Sequence, residues 1–277
     1  MTDLRRFGEW ALITGGTSGI GEAVAERLAA RGFNLVLVAR RAAELERCAT
    51  ALRAQHAVEV RTRALDVTQA DFLSELTSLT DTLDIGVVIA CAGGGDLDAF
   101  TDRPLANHVA VLQLNATASV VLLHHFARRF QGRSNRGAIM LFGSTMGLHG
   151  IPYGATYSAA KAAVIALGEA VNAELKDAGV YVTVVSPGPT ATPLVVQNPD
   201  ADLMSLPIKP MAVGAVADEA LKALMRNEPH HVVGRLNRFM GNLVGRRILS
   251  RRASVGLWGA LLKKALRPSA SGALRPM

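Results

Sequence analysis

Apolar positions along the chain fall into two alternating patterns. Short β-type runs, most of them nearly unbroken in apolar residues, occur at WALIT (10–14), NLVLVA (34–39), VEVRTRAL (58–65), IGVVIA (85–90), AIMLF (138–142), VYVTVV (180–185) and HVV (231–233). Between them lie longer amphipathic stretches near 20–31, 42–55, 69–81, 105–130, 155–177 and 213–227. This alternation predicts βαβ units with right-handed crossovers, hence one doubly wound α/β domain with a seven-stranded parallel sheet. Strands that are apolar at every position, rather than at every second one, fit a sheet covered on both faces. The least regular stretch is Gly188–Pro210, which holds Pro189, Pro193, Pro199, Pro207 and Pro210. It is too long for an ordinary connector and reads as a substrate loop or a partly disordered segment.

Past the last strand the pattern changes. RLNRFMGNLVGRRILSRR places Leu236, Phe239, Met240, Leu243, Val244 and Ile248 at helical spacing, and VGLWGALLKKAL does the same with Leu257, Trp258, Leu261, Leu262 and Leu266. The organisation is therefore a domain over 1–234 and an amphipathic extension over 235–277. Charge sharpens this division. The net charge is +7, yet the extension alone carries ten basic residues and no acidic one, leaving 20 basic against 23 acidic residues elsewhere. The extension is thus a pair of basic amphipathic helices. Their apolar faces either cover the substrate pocket or a subunit interface, or dock on an anionic membrane surface. Nucleic-acid binding is not predicted, since no aromatic residues interleave the cations and no known module is present.

Composition adds bounds. At 277 residues and 49% hydrophobic, the chain can bury a large core and is not of disordered type. Cys48 and Cys91 match no metal-ligand spacing and are too few for a disulfide scaffold, so no metal site and a reducing, cytoplasmic compartment are predicted. MTDLRR runs almost directly into the first strand, which leaves no room for a separate targeting segment. No uninterrupted apolar run approaches the roughly 20 residues that span a bilayer. Peripheral contact through the extension is the membrane alternative.

The chemistry begins after the first strand. In TGGTSGIG, Gly15, Gly19 and Gly21 stand where a strand must turn sharply into a helix whose N-terminal N–H groups suit a pyrophosphate. The second strand ends in VARR. An acidic residue there would accept from a ribose 2′-hydroxyl, whereas Arg40 and Arg41 suit a 2′-phosphate, so NADP(H) is favoured over NAD(H). In YGATYSAAKAA, Tyr157 and Lys161 lie four apart on one helix face. The ammonium is placed to favour ionisation of a phenol whose ordinary pKa is about 10.

Taken together, TGGTSGIG with Thr17, Ser18 and Ile20, Asp66-Val67 after the third strand, Asn115 in LNATAS, Ser144, the YSAAK segment and PGPTAT at 187–192 resemble the short-chain dehydrogenase/reductase family over about residues 8–235. Twelve residues separate Ser144 from Tyr157 and three separate Tyr157 from Lys161, as in that family. The resemblance implies a Rossmann-type fold and a catalytic set of Asn115, Ser144, Tyr157 and Lys161. In that set Tyr157 is the general acid/base, Ser144 holds the substrate oxygen, Lys161 bonds the nicotinamide ribose and Asn115 holds a water on the proton path. It also implies cofactor contacts from Asp66, Val67, Pro187, Gly188, Thr190 and Thr192, and dimers or tetramers formed through the helices at 105–130 and 155–177.

Two positions depart from the family. The usual Asn-Asn-Ala-Gly is here ACAG, leaving backbone contacts from Ala90, Ala92 and Gly93, and Thr190 replaces an aliphatic residue. The resulting expectation is an NADPH-dependent reductase of a hydrophobic ketone or 3-oxoacyl group. Its pocket draws on Leu148, Ile151, Leu194, Val195, Val196, Met204 and Leu206. The alternative is a sensor or scaffold that binds NADP(H) and turns nothing over.

Overall fold

The computed structural model describes residues 3–95, 97–196, 202, 209–245 and 250–266. Seven strands, β1 (Trp10–Thr14), β2 (Asn34–Ala39), β3 (Val60–Ala64), β4 (Ile85–Ala90), β5 (Gly137–Phe142), β6 (Val180–Ser186) and β7 (His230–Val232), form one sheet in the order β3-β2-β1-β4-β5-β6-β7. Every neighbouring pair is parallel. The chain reverses direction across the sheet between β1 and β4, and a doubly wound sheet binds its ligands in the crevice at such a switch point.

The helices are α1 (Gly19–Ala29), α2 (Ala42–Gln55), α3 (Phe72–Thr80), α4 (Leu105–Leu112), α5 (Ala118–Gln131), α6 (Ala155–Leu175), α7 (Pro193–Val196), α8 (Val213–Met225), α9 (Arg235–Gly245) and α10 (Arg251–Ala265). They cover both faces, which explains the unbroken apolar inner strands, while the edge strand β3 leaves Arg63 exposed. In β1, Ala11 and Ile13 join a cluster with Val24, Leu28, Val216 and Leu221, while Leu12 joins Leu76, Leu122, Phe126 and Phe130 on the other side. Each such fully buried Leu or Phe contributes about 1.5–3 kcal/mol relative to an exposed one.

The structure refines the expected elements at three places. Helix α3 begins at Phe72 rather than near 69 because residues 66–69 form a turn. There the Asp66 carboxylate accepts from Thr68 N (2.9 Å) and Thr68 Oγ1 (2.8 Å), and Gln69 N donates to Asp66 O (3.1 Å). The helix anticipated over 105–130 is interrupted by a π turn at Gln113–Thr117, centred on Asn115. Such insertions cluster at functional sites, and this one turns the asparagine inward to full burial. The proline-rich stretch contains α7, and its base is closed by Met211 N donating to Pro189 O and Ala191 N donating to Met211 O. Pro199, Met204, Leu206 and Pro207 lie outside the described residues, as does the Leu194 side chain.

The two helices of the extension take different roles. Helix α10, N-capped by Ser250, buries Ser254, Leu262 and Ala265 against the body, and Asp202 N donates to Ala265 O (2.8 Å). Helix α9 is fastened by polar contacts. Arg238 pairs with Glu219, which also bonds His231 (2.8 Å) and Gly234 N, and Asn237 lies against Gly188. Its apolar residues Leu236 and Phe239 remain 61% and 60% exposed. Of the other apolar positions read on α9, the side chains of Leu243 and Val244 and all of Ile248 lie outside the described residues.

Candidate active site

Two cavities open at the C-terminal end of the sheet. The first, of about 370 Å³, is lined by Gly15, Thr17, Ser18, Gly19, Ile20, Gly21, Arg40, Arg41, Asp66, Val67, Ala92, Gly93, Tyr157, Lys161, Pro187 and Thr192. All but four of the expected cofactor residues are therefore brought together here. Gly188 and Thr190 line the second cavity, Asn115 sits behind Gly93 and Gly94, and Ala90 packs its side chain into the core. Eight further lining residues, Val38, Ala39, Leu65, Cys91, Leu114, Phe142, Gly143 and Pro193, were not among the expected cofactor residues. Val38, Ala39, Leu65, Cys91 and Pro193 carried a signal, since each adjoins an expected residue or its strand end in sequence.

The glycine turn has a steric reason. Gly15 adopts φ +73°, and a Cβ on it would lie 2.8 Å from Ala92 Cα and N. Only glycine lets β1 pass this close to the turn after β4. Helix α1 then starts at Gly19 with no side-chain cap from Ser18, so its first N–H groups have no side-chain acceptor there. With the positive end of the helix dipole and the two arginines at the β2 end, this rim suits the phosphates of a dinucleotide. Among the described residues, Asp66 is the one carboxylate lining the cleft. The donor set therefore fits a phosphorylated dinucleotide.

The second cavity, of about 180 Å³, is lined by Ile20, Gly95, Leu97, Ser144, Met146, Ile151, Tyr157, Val195, Trp258 and Leu262 together with Pro187–Thr190 and their neighbours. Among the described residues, no charged side chain lines it. Trp258 and Leu262 come from α10, so its inner face closes the cavity, and one of the two readings of the extension holds for this helix. Leu148 and Val196, expected at the pocket, do not line it.

Tyr157 borders both cavities. It stands in the first turn of α6, while Ser144 follows β5 and caps the turn at Thr145–Gly147, its Oγ accepting from Met146 N (3.1 Å). Ser144 also hydrogen-bonds the Tyr157 side chain. Lys161, one turn along α6, is 5% exposed, donates to Phe142 O (2.9 Å) and places Nζ 5.6 Å from the Tyr157 ring centroid. Asn115 Nδ2 donates to Gly94 O (2.6 Å) and Val111 O (2.9 Å), while its Oδ1 accepts from Gly94 N. The asparagine thus pins the loop after β4 beside the lysine.

The electrostatics add burial to the expectation for Lys161. Burial pushes Tyr157 up to about 12, against an opposing pull from its hydrogen bond with Ser144. Burial also lowers Lys161 to about 8, with Cys91 pulling slightly the other way. The Cys91 thiol itself is pushed up to about 12 by burial. In a site this enclosed, loss of hydration outweighs the attraction of an ammonium that faces the ring and is bonded to a carbonyl. At neutral pH Tyr157 holds its proton and most Lys161 remains charged.

The comparisons with known proteins agree with this geometry. Residues 9–202 match the family profile described as short chain dehydrogenase. The chain is 33% identical over 193 residues to a 7beta-hydroxysteroid dehydrogenase of Collinsella aerofaciens, covering 70% of this chain and 73% of that one. A short-chain dehydrogenase from Sphingobium yanoikuyae solved in complex with NADPH superposes with a TM-score of 0.76 at 33% identity, over 88% of this chain and 97% of that one. The bulky-bulky ketone specific alcohol dehydrogenase from Comamonas testosteroni gives 0.72 at 33% identity, over 88% and 96%. A profile match over most of the sheet, together with relatives at this identity across two thirds or more of the chain, makes the protein a member of the short-chain dehydrogenase family of nucleotide-binding oxidoreductases.

Proposed function

We propose that the protein is an NADPH-dependent reductase of bulky, apolar ketones in which Tyr157 is the proton donor. One observation carries the reading: a cationic cleft that fits a dinucleotide and an uncharged apolar cavity meet at one phenol. When bound, the nicotinamide cofactor supplies the hydride that reduces the carbonyl carbon.

The protein's own residues account for the rest. Ser144 Oγ is held by Met146 N, and its hydroxyl proton, directed at Tyr157 when no substrate is present, turns to the substrate oxygen as charge develops there. Tyr157, protonated at neutral pH, passes its proton to that oxygen. With a pKa near 12 it is still a stronger acid than an alcohol, so transfer to the developing alkoxide runs downhill. Lys161, anchored on Phe142 O, stabilises the phenolate left behind and keeps two further N–H donors for a ribose. Asn115 holds the Gly93–Gly94 loop against the ammonium. Pro187, Gly188 and Thr190 offer backbone groups to a carboxamide.

NADPH is favoured because Arg40 and Arg41 occupy the β2 end of the cleft, and a related structure is described with NADPH. Bulky apolar substrates are favoured by the walls of the second cavity and by the substrate classes named for the relatives. A pure sensor would have no use for a lysine buried at this cost. Exposed Leu105, Val109 and Leu112 of α4 and Val120 of α5 support assembly of copies through these helices. The free thiols of Cys48 and Cys91 fit a reducing cytoplasmic compartment.

The test is NADPH oxidation across steroid, aromatic, long-chain and 3-oxoacyl carbonyls, alongside Tyr157→Phe. Turnover of one class by the wild type, lost in the variant with NADPH affinity preserved, supports the reading. Absence of turnover across the panel while NADPH binds would turn it toward the sensor.

A further inference from the structure

The same amphipathic pattern in α9 and α10 meets two different fates, and this difference is informative. Helix α10 turns Trp258 and Leu262 inward onto the substrate cavity. Helix α9 turns Asn237 and Gly241 inward, the first against Gly188 and the second against Leu148, and leaves Leu236, Phe239 and Met240 outward. Three apolar side chains at i, i+3 and i+4 form a continuous stripe on one helix face. A stripe of this kind, facing solvent, marks a surface for another phase or molecule.

We propose that the outer faces of α9 and α10 are a docking surface for an anionic lipid bilayer, set at the rim of the substrate cavity. Charge selects this occupant. From Arg235 onward the chain has ten basic residues and no acidic one. Arg238 is committed to Glu219, but Arg235 on α9 and Arg252, Lys263 and Lys264 on α10 are exposed. Pairing this face with itself in a second copy would bring two sets of cations together with no carboxylate from either segment, an arrangement that a two-fold interface would have to tolerate throughout. A nucleic acid would satisfy the cations but leave the stripe of Leu236, Phe239 and Met240 without an apolar partner. An anionic interface satisfies both, taking apolar side chains below the headgroups and cations among them.

Position adds the second argument. Gly188, on which α9 rests, lines the cavity, and so does Val195, whose neighbour Val196 is 53% exposed. Docking by this face sets the cavity rim against the membrane, where an apolar ketone concentrates. The docking surface does not depend on the reaction assigned above, although it explains how a poorly soluble substrate reaches that site.

The experiment is co-sedimentation of the full-length protein with vesicles of phosphatidylserine and phosphatidylcholine, against vesicles of phosphatidylcholine alone. The expected result is recovery with the anionic vesicles at about 0.1 M salt, weakened as added salt shortens the Debye length from about 10 Å. Phe239→Glu and the double variant Lys263→Glu/Lys264→Glu each lower vesicle affinity about 10-fold or more, with thermal unfolding and reduction of a water-soluble ketone unchanged. Equal recovery of the wild type with and without anionic lipid overturns the proposal. So does unaltered pelleting of Phe239→Glu, or a fall in oligomeric mass on Phe239→Glu with no vesicle binding by the wild type, which would assign the face to contacts between copies. A protein that pellets with vesicles but reduces no carbonyl would sink the catalytic reading alone.

Discussion

Lys161→Met separates what the lysine does for the reaction from what it costs the fold. The side chain is 5% exposed, and burial lowers its pKa from 10.5 to about 8. At 1.36 kcal/mol per pKa unit this corresponds to about 3 kcal/mol of destabilisation at pH 7. The sign follows from proton counting. Between about pH 8 and 10.5 the unfolded lysine holds a proton that the folded one has released, so the wild type gains stability as pH rises through that window and is penalised in full below it. Methionine fills similar length without charge and removes the penalty. It also strands the Phe142 carbonyl, at about 1–2 kcal/mol.

The balance at pH 7 is a variant about 1–2 kcal/mol more stable, or roughly 3–6 °C in Tm. By pH 10 most of the wild-type penalty has gone, so the advantage vanishes or reverses. Urea and thermal melts at both pH values, paired with NADPH oxidation, read this directly. The variant should be the more stable and inactive at pH 7. A variant less stable than wild type at pH 7, or a stability gap independent of pH, would refute the reasoning that an uncompensated buried ammonium is held here for function.

Three further outcomes are expected. Arg40→Ala and Arg41→Ala together should lower the NADPH-to-NADH ratio of kcat/KM about 10- to 100-fold, in line with losing hydrogen bonds to a charged phosphate, with little change in NADH kinetics. Asn115→Ala leaves Gly94 and Val111 backbone groups without their partner inside the protein and should cost about 1–3 kcal/mol in urea unfolding, with a larger proportional loss in kcat than in NADPH affinity. Trp258→Ala opens the roof of the second cavity. Relative kcat/KM should move toward larger ketones by about 10-fold or more, and small ketones should lose affinity, measured across a size-graded series.

The five inner strands were legible from sequence because a sheet buried on both faces demands apolar residues at nearly every position, whereas the edge strands β3 and β7 are partly polar and only partly buried. Parallel pairing then followed from the intervening helices. The glycine turn, Ser144, Tyr157 and Lys161 were legible because chain-local constraints fix them: a strand-to-helix turn, a strand end and one helical turn of spacing. What depended on distant segments was not legible. The π turn that buries Asn115 rests on contacts with Gly94, twenty-one residues away in sequence. The proton affinities of Tyr157 and Lys161 depend on how much water the assembled walls exclude, which no spacing reveals. Helices α9 and α10 share one pattern, yet one covers a cavity and the other faces outward. Periodicity defines an apolar face, but only the tertiary structure supplies, or withholds, the surface opposite it.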